Sequence, residues 1–497
     1  MNHQLTKTDF IQYLNCSKSL WLLKNRPEDY KKGEMSLFLE KLIAEGYEVE
    51  EQAQKLFPNA ITLPDFGDPS ITRQALKENG SVFFQASFQT ASGAFARIDI
   101  LEKLDDGTFH IYEIKSSTSI KKDKKHNHLK DACFQKYVMT ESGYEVSKIS
   151  IIHLNKDYVR SGDINPSELL VIEDVTEEIG ELYESVSSYI VDSLGYINKE
   201  NISLDTCYCR EDTRSNHCDS FTFFNPDIPE YSIYELGNIR QKRIRELADM
   251  DVMKISDIPL DYEGLNENQK LQMISCKKEQ AIIDTEAIKE SLSILEFPLH
   301  FIDYETYASA VPKIDGIGPH QHVVFQVSIH TMQEDGSIQH YEYLTDKLEL
   351  PEKLIQYMQS VTGNTGTYIS WHASFEKTQN TAMATWFLPY AEYLNNMSLR
   401  MYDLEDIFKK DYIDYQFHGS SSIKKVLPVL CPELSYNELD VQNGTMALDT
   451  WGRMVLDPDF DEDIETTRKN LLEYCKLDTL AMVELYKKLT GILISPW

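Results

Sequence analysis

Positive charge is scarce in this sequence. Its 49 lysines and arginines face 80 aspartates and glutamates, a formal charge of −31 at pH 7. A field of that sign repels phosphate and argues against a general nucleic-acid coat protein. A nuclease is still allowed, because metal-binding carboxylates add negative charge and basic residues can gather locally. Long apolar runs are absent too: nothing approaches the roughly 18 consecutive apolar residues of a membrane span. The opening MNHQLTKTDF lacks the apolar stretch of a secretion signal. The expectation is a cytoplasmic protein with no membrane contact. Cysteine is sparse, eight residues in 497. In that compartment disulfides are not expected, so clustered thiols are metal candidates and isolated ones are core residues. Internal repeats and low-complexity tracts are also missing.

What is present is globular. A 42% hydrophobic and 11% aromatic content supplies sizeable cores, and the length suggests about two to four domains. Strand-type alternation over 82–115 is broken by the turn LDDGTF. A helix around 128–142, a strand at 147–154, a helix near 175–194 and a Cys-rich segment at 205–225 follow, giving one α/β domain over 1–225. Apolar spacing over 226–290 is helical and reads as a small connector. From 291 to 497 the strand patterns LHFIDYET, HVVFQVSIHTM and IQHYEYLT precede alternating elements and a closing helix at about 462–489. That order predicts a mixed sheet covered by helices.

In HFIDYETYAS, Asp303 and Glu305 point to the same face of a strand. Two acids side by side repel, and a cation relieves that. The closing helix holds LLEYCKLDTLAM, where Tyr474 and Asp478 lie one turn apart on one face. WHASFEKTQN offers a fourth acid, Glu376, with Asp403 of MYDLEDIF competing. Oxygen ligands of this kind suit Mg²⁺ or Mn²⁺, which can activate water and stabilise the leaving oxygen of a phosphodiester. The set resembles the DEDD exonucleases of the RNase H-like fold, in the variant with a tyrosine in the last motif. The resemblance implies Asp303, Glu305, Glu376 and Asp478 as metal ligands and Tyr474 as the orienter of the attacking water. It departs at Glu376, where the family usually has Asp, and at His372, where Asn is common. FHGSSSIKKVLPVL adds candidate phosphate contacts in His418, Ser420 to Ser422, Lys424 and Lys425, or simply a capped helix start.

FARIDILEKLDDGTFHIYEIKSST places Asp99 on one strand and Glu113 and Lys115 on the next. Acids on neighbouring strands can chelate a metal while the lysine polarises water and neutralises phosphate. This resembles the PD-(D/E)XK nucleases of the restriction-endonuclease-like fold, in their RecB-like branch. DACFQKYVM resembles that branch's helix motif, with Gln135 and Tyr137 facing the site and Tyr137 toward nucleic acid. AEGYEVEEQAQKLFP resembles its early helix, with Glu50 as a further ligand and Glu45, Glu48 and Glu51 as competitors. Cys207, Cys209 and Cys218 in TCYCREDTRSNHCDS, with the distant Cys16, match the one-plus-three distribution of RecB-like nucleases stapled by a [4Fe–4S] cluster. The alternatives are a Zn²⁺ site, which His217 could help to form, and plain thiols. Cys133, Cys276, Cys431 and Cys475 are expected in cores or helices.

The expectation is a metal-dependent nuclease, DNA ahead of RNA as substrate, for DNA processing, repair or defence. The order of the two halves resembles an uncharacterised bacterial family with two nuclease domains. Lys121, Lys122, Lys124 and Lys125, in a stretch holding six lysines between 115 and 130, would grip the backbone by charge. Two rivals remain: one working nuclease with the other half a binding module, and a non-enzymatic acidic scaffold.

Overall fold

The structure is a computed structural model that describes residues 3–31, 33, 36–64, 67–78, 80–123 and 127–494. Contacts divide the chain into two compact units, Met1–Ile228 with Ser309–His320, and Pro229–Ala308 with Gln321–Trp497. The helical stretch read as a connector therefore groups with the C-terminal unit.

The first unit is built on a six-stranded sheet whose strands lie in chain order: β1 (Ile61–Thr62), β2 (Val82–Gln89), β3 (Phe95–Lys103), β4 (Phe109–Lys115), β5 (Val146–Leu154) and β6 (Leu170–Asp174). β2, β3 and β4 form an antiparallel meander. The turn between β3 and β4 is LDDGTF, where Gly107 takes φ +86° and Asp106 accepts from the Thr108 amide at 2.9 Å. β4 and β5 are parallel, a pairing that needs a crossover, here the helix His128–Glu141. Alternation along the strands sends Phe83, Ile111 and Ile151 into one core and Phe84, Tyr112 and Ile152 into another. The helices Lys7–Asn15, His128–Glu141 and Thr176–Ile197 contribute Phe10, Phe134 and Ile190 to the first of these cores. Glu113 stands two residues from Ile111 and so points to the same helix-covered face.

The second unit carries a two-stranded ribbon of β7 (Ile282–Ile283) with β13 (Tyr412–Ile413) and a five-stranded mixed sheet. The sheet comprises β8 (Leu299–Tyr307), β9 (Val323–Met332), β10 (Ile338–Leu344), β11 (Thr367–Ser370) and β12 (Met401–Asp403), in the order β10-β9-β8-β11-β12. β9 alone runs antiparallel to the central β8; β10, antiparallel to β9, runs parallel to β8, as do β11 and β12. All ten positions of β9 are buried, so both sheet faces are covered. The last helix, Ile464–Ile494, packs on one face through Leu471, Met482, Leu485 and Leu489. It is pinned by polar contacts: Thr479 Oγ1 lies 2.7 Å from Ser328 Oγ and 2.8 Å from His330 Nδ1, and Gln326 Nε2 donates to the Leu471 carbonyl at 2.8 Å. Among the described residues, no helix is long and apolar enough to cross a membrane.

Candidate metal centres

In the second unit, Asp303 and Glu305 sit on β8 opposite Ser328 and Gln326, and a bulge follows Glu305. Bulges re-aim side chains. The pinned last helix brings up Asp478, and ligand oxygens of Asp303, Glu305 and Asp478 lie within 4.8 Å of one another. Glu305 and Asp478 are buried and Asp303 is partly buried. Burial, then the charges of Asp478, Glu305 and Glu376, pushes the Asp303 carboxyl well above the ordinary range. Burial and Asp478 do the same to Glu305. Asp478 rises to about 6 through burial, offset by the Tyr436 hydroxyl and the Lys424 ammonium. Buried like charges so close cannot all ionise without a counter-ion.

Glu376 is 2% exposed and lies in the first turn of the helix Ser374–Trp386, rather than at the strand end where its sequence places it. Its Oε2 is buried without a hydrogen-bond partner, and burial raises its carboxyl to about 7. Its competitor Asp403 is already committed: its carboxylate accepts from the amides of His372 at 3.0 Å, Ala373 at 3.2 Å and Glu405 at 3.1 Å. His372 itself holds φ +68° with Nδ1 3.3 Å from Glu405 Oε2.

Tyr474 is buried beside Asp478 and helps to hold that carboxyl down. Tyr436, which no motif singles out, donates its hydroxyl to Asp478 Oδ1 at 2.6 Å. Lys424 Nζ lies 5.3 Å from the ring centre of Tyr436 and 5.5 Å from that of Tyr474. Lys425, by contrast, is exposed. Cys475, expected as an ordinary helix thiol, lies with Sγ 3.6 Å from Asp303 Oδ2. Ser422 does stand at a helix N-terminus, but its side chain makes no capping hydrogen bond.

In the first unit, Asp99 Oδ2 accepts from the Ile114 amide at 2.9 Å. Burial and then the Glu113 charge push Asp99 up to about 7. Glu113 is 1% exposed and fully engaged: Oε1 meets Lys115 Nζ at 2.8 Å and Lys7 Nζ at 2.5 Å, while Oε2 accepts from Gln135 Nε2. Burial works to raise Glu113, and the Lys115 and Lys7 ammonium groups overcome it, so Glu113 stays ionised. Lys115 also pairs with Asp131 Oδ2 at 2.6 Å. Glu50 accepts from Gln85, and its charge reaches Asp99. Its competitors are spent elsewhere, Glu45 on Lys41 and Glu48 on Lys313, and Glu51 is exposed. The amide oxygens of Gln85 and Gln135 are buried without partners, which suits a hydrated ion near these acids. Among the described residues, however, Asp99, Glu113 and Glu50 do not draw together as tightly as the acids of the second unit.

Tyr137 is 7% exposed in the hydrophobic core and is not presented to a nucleic acid, because its helix packs that face against the sheet. Lys121 and Lys122 are exposed, and Lys124 and Lys125 lie outside the described residues. Lys7 was not legible as a site residue: it lies 106 positions from Glu113 and carries no motif.

The four expected cysteines meet. Cys16, Cys207, Cys209 and Cys218 bring their sulfurs within 4.8 Å of one another, and all eight cysteines are free thiols. His217 stays out of this set: its ring stacks on Phe221 at 3.5 Å and its Nε2 lies 3.3 Å from the Asp212 carbonyl. The sulfur spacing suits one tetrahedral ion, whose ligands at about 2.3 Å stand about 4 Å apart. A [4Fe–4S] cluster needs the sulfurs farther apart, and a cavity of about 300 Å³ bounded by Gln12, Asn15, Cys16, His217 and Cys218 lies against them. The cluster can bind a metal or an iron–sulfur centre.

A domain of unknown function, DUF2779, matches residues 300–422, which carry β8 to β12, Asp303, Glu305 and Glu376. The chain is also 27% identical over 203 residues to a Mycoplasma pneumoniae protein described as an uncharacterized MG366 homolog. The similarity covers 37% of this chain, which thus spans about a third, 31%, of that relative's length.

Proposed function

We propose that the chain is a metal-dependent nuclease that hydrolyses phosphodiester bonds in DNA, with exonuclease-type chemistry in the second unit. The observation that carries this is the convergence of Asp303, Glu305 and Asp478 into one buried group too negative to stay ionised without a cation. The placement of β8 at the centre of the order β10-β9-β8-β11-β12, with β9 the one strand antiparallel to the rest, supports an RNase H-like reading. Glu376, with its unpartnered buried oxygen, is the fourth ligand. Mg²⁺ or Mn²⁺ held by these acids supplies an activated water and charge for the leaving oxygen. Around it, Tyr436 fixes the orientation of Asp478, Tyr474 is placed to orient water, and Lys424 offers positive charge toward a phosphate.

The meander with Asp99, Glu113 and Lys115 supports a restriction-endonuclease-like reading of the first unit, and the four cysteines support an iron–sulfur or zinc staple. One observation favours a single dominant nuclease: Glu113 is already neutralised by Lys7 and Lys115, whereas the second unit's acids face Lys424 alone among the cations that shift them. The test is cleavage of single- and double-stranded DNA and RNA with Mg²⁺ or Mn²⁺ by wild type, D303N, D478N and E113Q. Loss of exonucleolytic cleavage in D303N and D478N is expected. Undiminished cleavage in both would overturn the assignment, and no cleavage by wild type on any substrate would favour a scaffold.

A further inference from the structure

We propose that Lys7 is a positioning residue for Glu113, and that the four-cysteine centre sets its place through the helix Lys7–Asn15. The inference rests on reading Asp99 and Glu113 as a metal site. Lys7 is the first residue of that helix, with its ammonium on Glu113 Oε1, and Cys16 is the residue that closes it. Nine residues at about 1.5 Å each make a rod of about 14 Å. One end of the rod touches the acids and the other touches the thiols.

Both ends are fixed. At the start, Thr6 and Asp9 form a reciprocal capping box, and Lys24 pairs with Asp9 Oδ2 at 2.7 Å. In the middle, Phe10 stacks on Phe134 at 5.3 Å, locking the rod to the helix that carries Gln135, the other side chain on Glu113. At the end, the segment bearing the late cysteines grips the rod: the Tyr208 hydroxyl donates to the Asn15 carbonyl at 3.0 Å. Gln12 bonds Tyr30, whose hydroxyl donates to Asp219 at 2.6 Å. A bound centre therefore holds Asn15 and Cys16, and through them Lys7.

Both ammonium groups on Oε1 and Gln135 on Oε2 leave Glu113 about one of its four acceptor sites for an ion. Lys115 is shared with Asp131 of the covering helix, so Lys7 is the cation that a divalent ion displaces. Removing one positive charge at this range strengthens binding of a dication.

The test uses D303N/D478N protein, which silences the second centre, and reads Mn²⁺ binding by electron paramagnetic resonance. K7M should bind Mn²⁺ about tenfold tighter than the same protein with Lys7. A second readout is reductive methylation of lysines, followed by mass spectrometry, on protein with the cysteine-bound metal present or stripped by oxidation and chelation. Loss of the centre should raise labelling of Lys7 about tenfold while Lys115 stays protected, and Tyr208→Phe should raise it to a lesser degree with the thiols intact. Unchanged labelling of Lys7, a rise shared equally by Lys115, or Mn²⁺ binding indifferent to K7M overturns the inference. Absence of Mn²⁺ binding in both proteins instead overturns the metal reading of Asp99 and Glu113, while the labelling still decides whether the centre controls Lys7.

Discussion

Asp478→Asn should make the metal-free protein more stable at neutral pH, the reverse of the usual effect of changing a buried polar residue. Asn keeps an acceptor for the Tyr436 hydroxyl, so the substitution removes charge while preserving the 2.6 Å hydrogen bond. Two carboxylates whose oxygens lie within 4.8 Å of each other repel by at least about 3 kcal/mol at an effective dielectric of about 20. The rise of Asp478 from 3.8 to about 6 comes from burial and is a cost of about 3 kcal/mol. The sign follows from linkage: a carboxyl whose folded value lies above its unfolded value adds no penalty below about 4, and its full penalty is present above about 6. Wild type without divalent ions should therefore lose stability as pH rises from about 4 to 6, and Asp99 and Glu376, both raised to about 7, extend that loss upward. At pH 8, thermal unfolding in chelator should show D478N melting on the order of 5 to 10 °C above wild type. Millimolar Mg²⁺ should raise wild type and leave D478N nearly unmoved, since ligand stabilises in proportion to its binding. Refutation would be D478N melting below wild type in chelator, or wild type indifferent to both pH and Mg²⁺.

Glu376→Gln should cut Mg²⁺-dependent cleavage at least 100-fold while sparing the melting temperature, read by single-turnover kinetics beside thermal unfolding. Asp403→Ala should do the opposite, costing about 1 to 2 kcal/mol through lost capping of three amides with Mg²⁺ affinity unchanged, read by denaturant unfolding and metal titration. Stripping the cysteine centre should lower the melting temperature of the first unit and leave cleavage dependent on Asp303 intact. An absorption spectrum with metal analysis then separates iron–sulfur from zinc.

Much of this was readable before any coordinates. Strand alternation placed β8 and β9, and the expected helices at 128–142 and 175–194 became His128–Glu141 and Thr176–Ile197, because turn residues and apolar spacing are local signals. Asp303, Glu305 and Asp478 were found by their spacing within single elements, and the cysteines by their scarcity. Lys7 and Tyr436 were not found, because each reaches its carboxylate only through tertiary packing from a segment with no motif. Tyr137 was misplaced because a tyrosine near a site motif reads alike whether it faces solvent or core. Glu376 against Asp403 could not be decided by pattern. Two of the three amides that claim Asp403, those of His372 and Ala373, belong to a turn about 30 residues upstream.

The polar contacts that pin the closing helix to β9 also have a consequence during synthesis. Asp303 and Glu305 leave the ribosome well before Asp478 exists, and the helix that carries it, Ile464–Ile494, is the last described element to be made. A nascent or prematurely terminated chain thus holds Asp303, Glu305 and Glu376 without the Asp478 that closes the group. Within the proposed function, that order of manufacture keeps the second unit of unfinished copies from cutting the nucleic acid around them.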